Sequence, residues 1–105
     1  MLNKKNIVLI GGGYWGTNIA INLIKLGIKT IYLYDTKLKN SRILKKRFPK
    51  KIKLVKNIED LLNNKDYKYF IYATPPSINF SLISKALKKN KIIFVEKPGF
   101  KNFTE

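Results

Sequence analysis

Asn6-Ile7-Val8-Leu9-Ile10-Gly11-Gly12-Gly13-Tyr14-Trp15-Gly16 runs four apolar residues straight into Gly-x-Gly-x-x-Gly, and its reading decides the fold. An unbroken apolar run of this length reads as a strand buried on both faces, and the glycines after it as a tight turn opening a helix. Gly11 permits the turn, Gly13 lets backbone approach a ligand closely, and Gly16 lets the helix pack tightly on the strand. The free N–H groups of that helix start, with the positive end of the helix dipole, form an anion site. Glycines at this spacing also make ordinary strand-to-helix turns, so the surroundings have to support the reading. They do so through the amphipathic helix that follows and through Asp35, nineteen residues past Gly16 at the end of the next apolar run.

Working outward, apolar runs alternate with helical patterns to the end of the chain. Ile7–Ile10 is the first strand, and Tyr14–Leu26 the first helix, with Ile19, Ala20, Leu23, Ile24 and Leu26 as its apolar face and Gly27 as its stop. Thr30–Tyr34 is β-branched and aromatic, a second strand ending at Asp35. A basic helix from about Lys39 to Arg47 closes at Pro49, and Ile52–Val55 is a weak third strand. Asn57 caps a short helix through Leu61 and Leu62. Tyr69–Ala73 reads as a fully buried fourth strand, followed by the loop Thr74-Pro75-Pro76. Ser77 caps a helix whose buried side is Ile78, Leu82, Ile83, Ala86 and Leu87, with Asn90 as its left-handed stop. Ile92–Val95 is the fifth strand and delivers Glu96-Lys97-Pro98 at its carboxyl end.

This alternation predicts an α/β fold, a Rossmann-type doubly wound parallel sheet of strand order 3-2-1-4-5 occupying residues 1–105 as one domain. Ligands bind such sheets outside the strand carboxyl ends, at the switch point between strands one and four. Gly11–Gly16, Thr74–Ser77 and Glu96–Pro98 all converge there.

Composition narrows the classes. With 45% hydrophobic residues the 105-residue chain is globular, and no apolar run approaches the ~20 residues of a membrane span. The N-terminus leads directly into the first strand with no room for a signal peptide, so the expected location is cytoplasmic. Cysteine and histidine are both absent, which removes disulfides, thiolate chemistry and the commonest metal ligands; no metal site is expected. Twenty lysines against two arginines contribute to a net charge of +16. Ten basic residues between Lys37 and Lys56, with no acid among them, offer a polyanion-binding face. No nucleic-acid motif accompanies the charge, and basic residues occur in nearly every segment, so compositional drift is the preferred reading over nucleic-acid binding.

Gly11-Gly12-Gly13-Tyr14-Trp15-Gly16-Thr17-Asn18, Ala73-Thr74-Pro75-Pro76-Ser77 and Glu96-Lys97-Pro98-Gly99, in that order, resemble the N-terminal domain of the Gfo/Idh/MocA oxidoreductases. The resemblance implies NAD(P)-dependent oxidation or reduction at a sugar, polyol or nucleotide-sugar hydroxyl; the carboxylate of Asp35, which would repel a 2′-phosphate, favours NAD over NADP. It implies that Gly11, Gly13, Tyr14, Trp15 and Gly16 hold the pyrophosphate and that Asp35 bonds the adenosine ribose. Thr74 and Pro75 would line the dinucleotide, and Glu96 and Lys97 would sit beside the nicotinamide. Loss of a hydroxyl proton must accompany hydride transfer, so an acid–base group must be near; with no histidine present lysine is one of the few candidates, and Lys97 is the one expected beside the nicotinamide. Pro98 restricts Lys97 to extended geometry.

Each of these residues has a plainer role too. Asp35 can simply end a strand, Tyr14 and Trp15 can pack in the core, the prolines can restrain a loop, and Lys97 can pair with Glu96. Relatives continue into a further strand and a second domain that holds much of the substrate site. The 105 residues alone are therefore expected to bind cofactor weakly and to turn nothing over. The missing sixth strand should leave apolar sheet surface uncovered, which invites a homo-oligomer or a complementing chain. A non-catalytic nucleotide-binding module acting with a partner is the alternative function.

Overall fold

Strand β1 (Ile7–Ile10) is the centre of the molecule, with all four residues buried. The computed structural model describes residues 7–73 and 76–95, for Leu38, Leu82 and residues 76–80 by their backbone. After β1 come α1 (Tyr14–Lys25), β2 (Ile31–Tyr34), α2 (Leu38–Arg47), β3 (Ile52–Leu54), α3 (Ile58–Leu62), β4 (Tyr69–Tyr72), α4 (Pro76–Lys88) and β5 (Ile92–Val95). The five strands are parallel, in the predicted order β3-β2-β1-β4-β5.

Alternation along β1 sorts the core into two layers. Ile7 and Leu9 face α1 and α2, packing with Ala20, Ile31, Leu33, Leu44 and Ile52. Val8 and Ile10 face α3 and α4, packing with Leu61, Leu62, Phe70, Tyr72 and Ala86. Each fully buried aliphatic side chain contributes about 1.5–3 kcal/mol by leaving water, so the central strand anchors both layers.

Helix ends follow the residues chosen for them. Gly27 takes φ 98°, its N–H donates to the Ile24 carbonyl, and Ile28 N–H donates to Leu23, closing the crossed pair of bonds that stops α1. Asn90, at φ 61°, does the same for α4, with Lys91 N–H donating to Ala86. Asn57 Oδ1 accepts from Glu59 N–H at 3.0 Å and caps α3 as expected.

Four expectations are corrected. Helix α4 begins at Pro76, so Ser77 lies inside its first turn rather than preceding it; proline suits that first position because its missing N–H has no intrahelical partner to lose. Leu26 ends α1 at the edge of its apolar face and is exposed rather than packed. Leu87 is also exposed, because the buried side of α4 is centred on Ala86. Finally, β4 is buried on one face only: Phe70 and Tyr72 are covered by α3 and α4, while Tyr69 and Ile71 are half-covered. The same side of β5 exposes Ile92 and Phe94, so apolar sheet surface does lie open beside α1.

Candidate functional site

The carboxyl end of β1 runs into the glycine turn without a break in the sheet's hydrogen bonds. Gly11 N–H donates to the Tyr34 carbonyl at 2.8 Å, and Ala73 N–H donates to Ile10 at 2.8 Å. Gly11 adopts φ 104°, a left-handed conformation that L side chains resist. Gly16 is required for a different reason. A Cβ there would lie 1.9 Å from the Gly11 carbonyl oxygen and 2.7 Å from its carbon, so α1 can sit this close to the turn only without a side chain. Gly13 is neither strained nor crowded: φ is −77°, and an added Cβ would meet only Asn40 Nδ2, at 3.8 Å. Among the described residues no neighbour demands glycine at position 13, and the space beside it is open to a ligand.

Helix α1 has no side-chain cap and no acid in its first turn. The contrast with α3 is direct, since α3 has the Asn57 cap and both Glu59 and Asp60 in its first turn. First-turn N–H groups of α1 are thus left for an anion, with the dipole's positive end behind them.

Asp35 lies just past β2 and reaches across to this turn. Its Oδ2 accepts from Gly12 N–H at 2.7 Å and from Asn40 Nδ2 at 3.2 Å, while Oδ1 accepts from Lys37 N–H at 2.8 Å. The carboxylate therefore fixes the glycine turn, the end of β2 and the start of α2 to one another. It does more than end a strand. A carboxylate offers about four acceptor sites, so one remains on Oδ1 for a hydroxyl.

Asn40 was not singled out by sequence. Its signal is weak there, an amide one turn into a helix, but the face it shares with Ile43 and Arg47 has helical spacing. With Gly12, Gly13, Tyr14 and Thr17 these three line a cleft of about 500 Å³ between α1 and α2.

Tyr14 and Trp15 stand at the start of α1 with rings edge-to-face at 5.3 Å. They are 75% and 45% exposed, which removes the core-packing reading and leaves both rings on the surface beside the glycine turn. Strands β1, β4 and β5 end in register, Ile10 opposite Tyr72 and Tyr72 opposite Val95. Thr74, Pro75, Glu96 and Lys97, expected on the same rim, lie outside the described residues. Among the described residues no cluster of metal-ligating side chains occurs, and no helix is long and apolar enough to cross a membrane.

A glycine turn that places uncapped N–H groups beside a braced carboxylate fits a dinucleotide. The backbone suits a pyrophosphate, and the acid suits ribose hydroxyls.

Comparison with known proteins agrees with this geometry. Residues 5–105 match the family model described as "Oxidoreductase family, NAD-binding Rossmann fold", that of Gfo/Idh/MocA. A glycerol-3-phosphate dehydrogenase [NAD(P)+] of Ruthia magnifica is 34% identical over 89 residues, covering 81% of this chain and 26% of that protein. A solved protein of Desulfitobacterium hafniense, provisionally described as an NADPH-dependent oxidoreductase, superposes with TM-score 0.76 at 25% identity, covering 93% of this chain and 28% of that one. A myo-inositol dehydrogenase of Corynebacterium glutamicum superposes with TM-score 0.73 at 19% identity, covering 90% and 28%. The chain thus spans about a quarter of the length of these proteins. It belongs to the Gfo/Idh/MocA oxidoreductase family, as its NAD-binding Rossmann domain.

Proposed function

We propose that this family member binds NAD(H) in preference to NADP(H) across the rim formed by Gly11–Gly16 and Asp35. It would serve as the dinucleotide-binding part of an oxidoreductase acting on a sugar, polyol or nucleotide-sugar hydroxyl. The observation that carries the proposal is the Asp35 carboxylate, held 2.7 Å from Gly12 N–H at the edge of an uncapped helix start. A carboxylate so placed accepts from ribose hydroxyls and repels a 2′-phosphate. Lys37 and Lys39 soften that repulsion without cancelling it, since Lys37 bonds Asp35 through its backbone N–H and both side chains stand in solvent. Solved relatives of the same fold include one in complex with NAD and a levoglucosan dehydrogenase in complex with NADH.

The backbone of Gly11, Gly13, Tyr14, Trp15 and Gly16 holds the pyrophosphate, and Asp35 fixes the adenosine end. Thr74 and Pro75 line the dinucleotide, and Glu96 and Lys97 attend the nicotinamide. When bound, NAD supplies the hydride acceptor. Lys97 holds or releases the proton of the substrate hydroxyl at Nζ. Calorimetry tests the cofactor reading. NADH should bind more tightly than NADPH, and Asp35→Ala should narrow the gap; tighter NADPH binding to the unaltered protein overturns it. In a full-length protein bearing this sequence, Lys97→Ala should lower turnover far more than NADH affinity. The substrate panel there should include sugars, polyols, nucleotide sugars and glycerol 3-phosphate. Equal turnover with and without Lys97 removes its role.

A further inference from the structure

The opposite end of the sheet carries a second concavity. A pocket of about 510 Å³ opens at the amino ends of β4 and β5, between the last residues of α3 and of α4. Five of its eight lining residues are lysines: Lys65, Lys68, Lys88, Lys89 and Lys91. Compositional drift does not account for this by itself, because the α1–α2 cleft of nearly equal size has one cation among nine lining residues, Arg47.

Hydrogen bonding to helix ends is not what occupies these lysines, although Lys88, in the last turn of α4, does complement the negative end of that helix. The helix ends they flank are already served by backbone: Lys91 N–H, Asn90 N–H and Lys89 N–H donate to the last carbonyls of α4, and Asn63 N–H and Asn64 N–H to those of α3. Where a lysine does bond backbone in this protein the contacts are plain, as at Lys45, whose Nζ donates to the Pro49 and Ile52 carbonyls beyond the end of α2 at 2.7 Å each. Where a lysine finds a carboxylate the pair is also plain, Lys85 with Glu59 at 2.7 Å. Among the described residues Lys65, Lys68, Lys88 and Lys89 have neither kind of partner.

Lys91 is the fixed member. The residue is 8% exposed, with Nζ donating to the Asn64 carbonyl at 2.7 Å and lying 5.5 Å from the centre of the Phe70 ring. Burial, and then the charge of Lys89, lower its pKa. Asp66, one residue from Lys65, does not line the pocket; its backbone N–H is turned to Asn64 Oδ1. Among the described residues none of the five ammoniums has a carboxylate partner, and together they are stabilised by a multivalent anion.

We propose that this pocket is a binding site for a short phosphate chain, distinct from the dinucleotide rim and at the other end of the strands. Lysine ammoniums act as point charges that suit several phosphate oxygens at once. The volume falls within the ~300–1,000 Å³ of small-ligand sites. The phosphate chain can be inorganic or borne by a nucleotide.

The test uses the ¹⁵N-labelled chain titrated with inorganic triphosphate, and in parallel with ATP, at about 0.15 M salt, where long-range attraction is screened. Saturable amide shifts are expected at residues 62–68 and 88–92. Paired charge reversal, Lys68→Glu with Lys89→Glu, should weaken binding roughly tenfold or more. The same charge change at Lys50→Glu with Lys53→Glu should weaken it less than about threefold, because those residues lie outside the pocket. Equal affinity for the two probes assigns the site to the free anion, and tighter ATP binding assigns it to a nucleotide. Equal weakening by both variant pairs, shifts confined to Gly11–Gly16, or shifts spread over every basic segment overturn the proposal.

Discussion

The two ends of the sheet are built on opposite plans. At the carboxyl end the chain makes room: glycines stand where side chains would strain or collide, and one carboxylate braces the turn. At the amino end it adds charge: lysines from two stretches, Lys65–Lys68 and Lys88–Lys91, surround a hollow that the largely buried Lys91 also lines. The first plan fixes backbone donors to better than a side chain's freedom and suits a ligand whose shape must be matched. The second tolerates looseness, because charge attraction falls off slowly with distance. In a protein with net charge +16, the cleft between α1 and α2 is thus lined, among the described residues, by a single cation, Arg47.

That contrast can be broken most forcefully at Gly16. Gly16→Ala places a methyl 1.9 Å from a backbone oxygen that cannot swing aside, so a loss of about 3 kcal/mol or more is expected in urea unfolding. A midpoint unchanged from the parent would show that the turn is not set by close approach. Gly13→Ala sharpens the same point from the other side. Its methyl meets almost nothing, so stability should change by less than about 1 kcal/mol while NADH affinity falls about tenfold or more. Unaltered NADH affinity would mean that Gly13 is not at the pyrophosphate.

Each end also holds a buried titratable group, and the two act oppositely in alkali. Burial raises the pKa of Tyr72, beneath the carboxyl rim, so the unfolded chain loses that proton first and stability falls as pH passes 10.0. Burial lowers the pKa of Lys91, so the unfolded chain holds that proton longer and stability rises as pH climbs toward 10.5. Denaturation between pH 8 and 11 should show a shallower alkaline fall in Tyr72→Phe and a lost rise in Lys91→Met; the same slope in parent and variant contradicts the assignment concerned. The smallest effect belongs to the surface pair. Glu59→Gln breaks a bridge whose side chains are about half exposed, and less than about 0.5 kcal/mol is expected.

The carboxyl rim was legible in sequence because glycine's demands are local. A strand, a turn and a helix start within eleven residues declare Gly11 and Gly16, and Asp35 follows from the next strand's end. Strand order followed from alternation and the handedness of crossovers. What could not be read was tertiary. Asn40 bonds Asp35 only because α2 begins where it does, and Leu26 and Leu87 were assigned to the core by periodicity that cannot see where a helix overhangs its sheet. The open side of β4 was hidden because burial on both faces depends on a helix the described residues do not place there. The lysine pocket was invisible for a related reason: its residues come from the ends of α3 and α4 and the starts of β4 and β5, whereas the densest basic run in sequence, Lys37–Lys56, lines none of it.

NADH carries both a pyrophosphate and ribose hydroxyls, so it can choose between the two ends. Titrating it into the ¹⁵N-labelled chain at about 0.15 M salt asks which plan it matches. Amide shifts are expected at Gly11–Gly16 and across residues 35–40, with the Gly12 N–H that Asp35 now accepts among the most perturbed. Residues 62–68 and 88–91 should stay near their starting positions. Shifts concentrated at the lysine pocket, with the glycine turn silent, contradict the account.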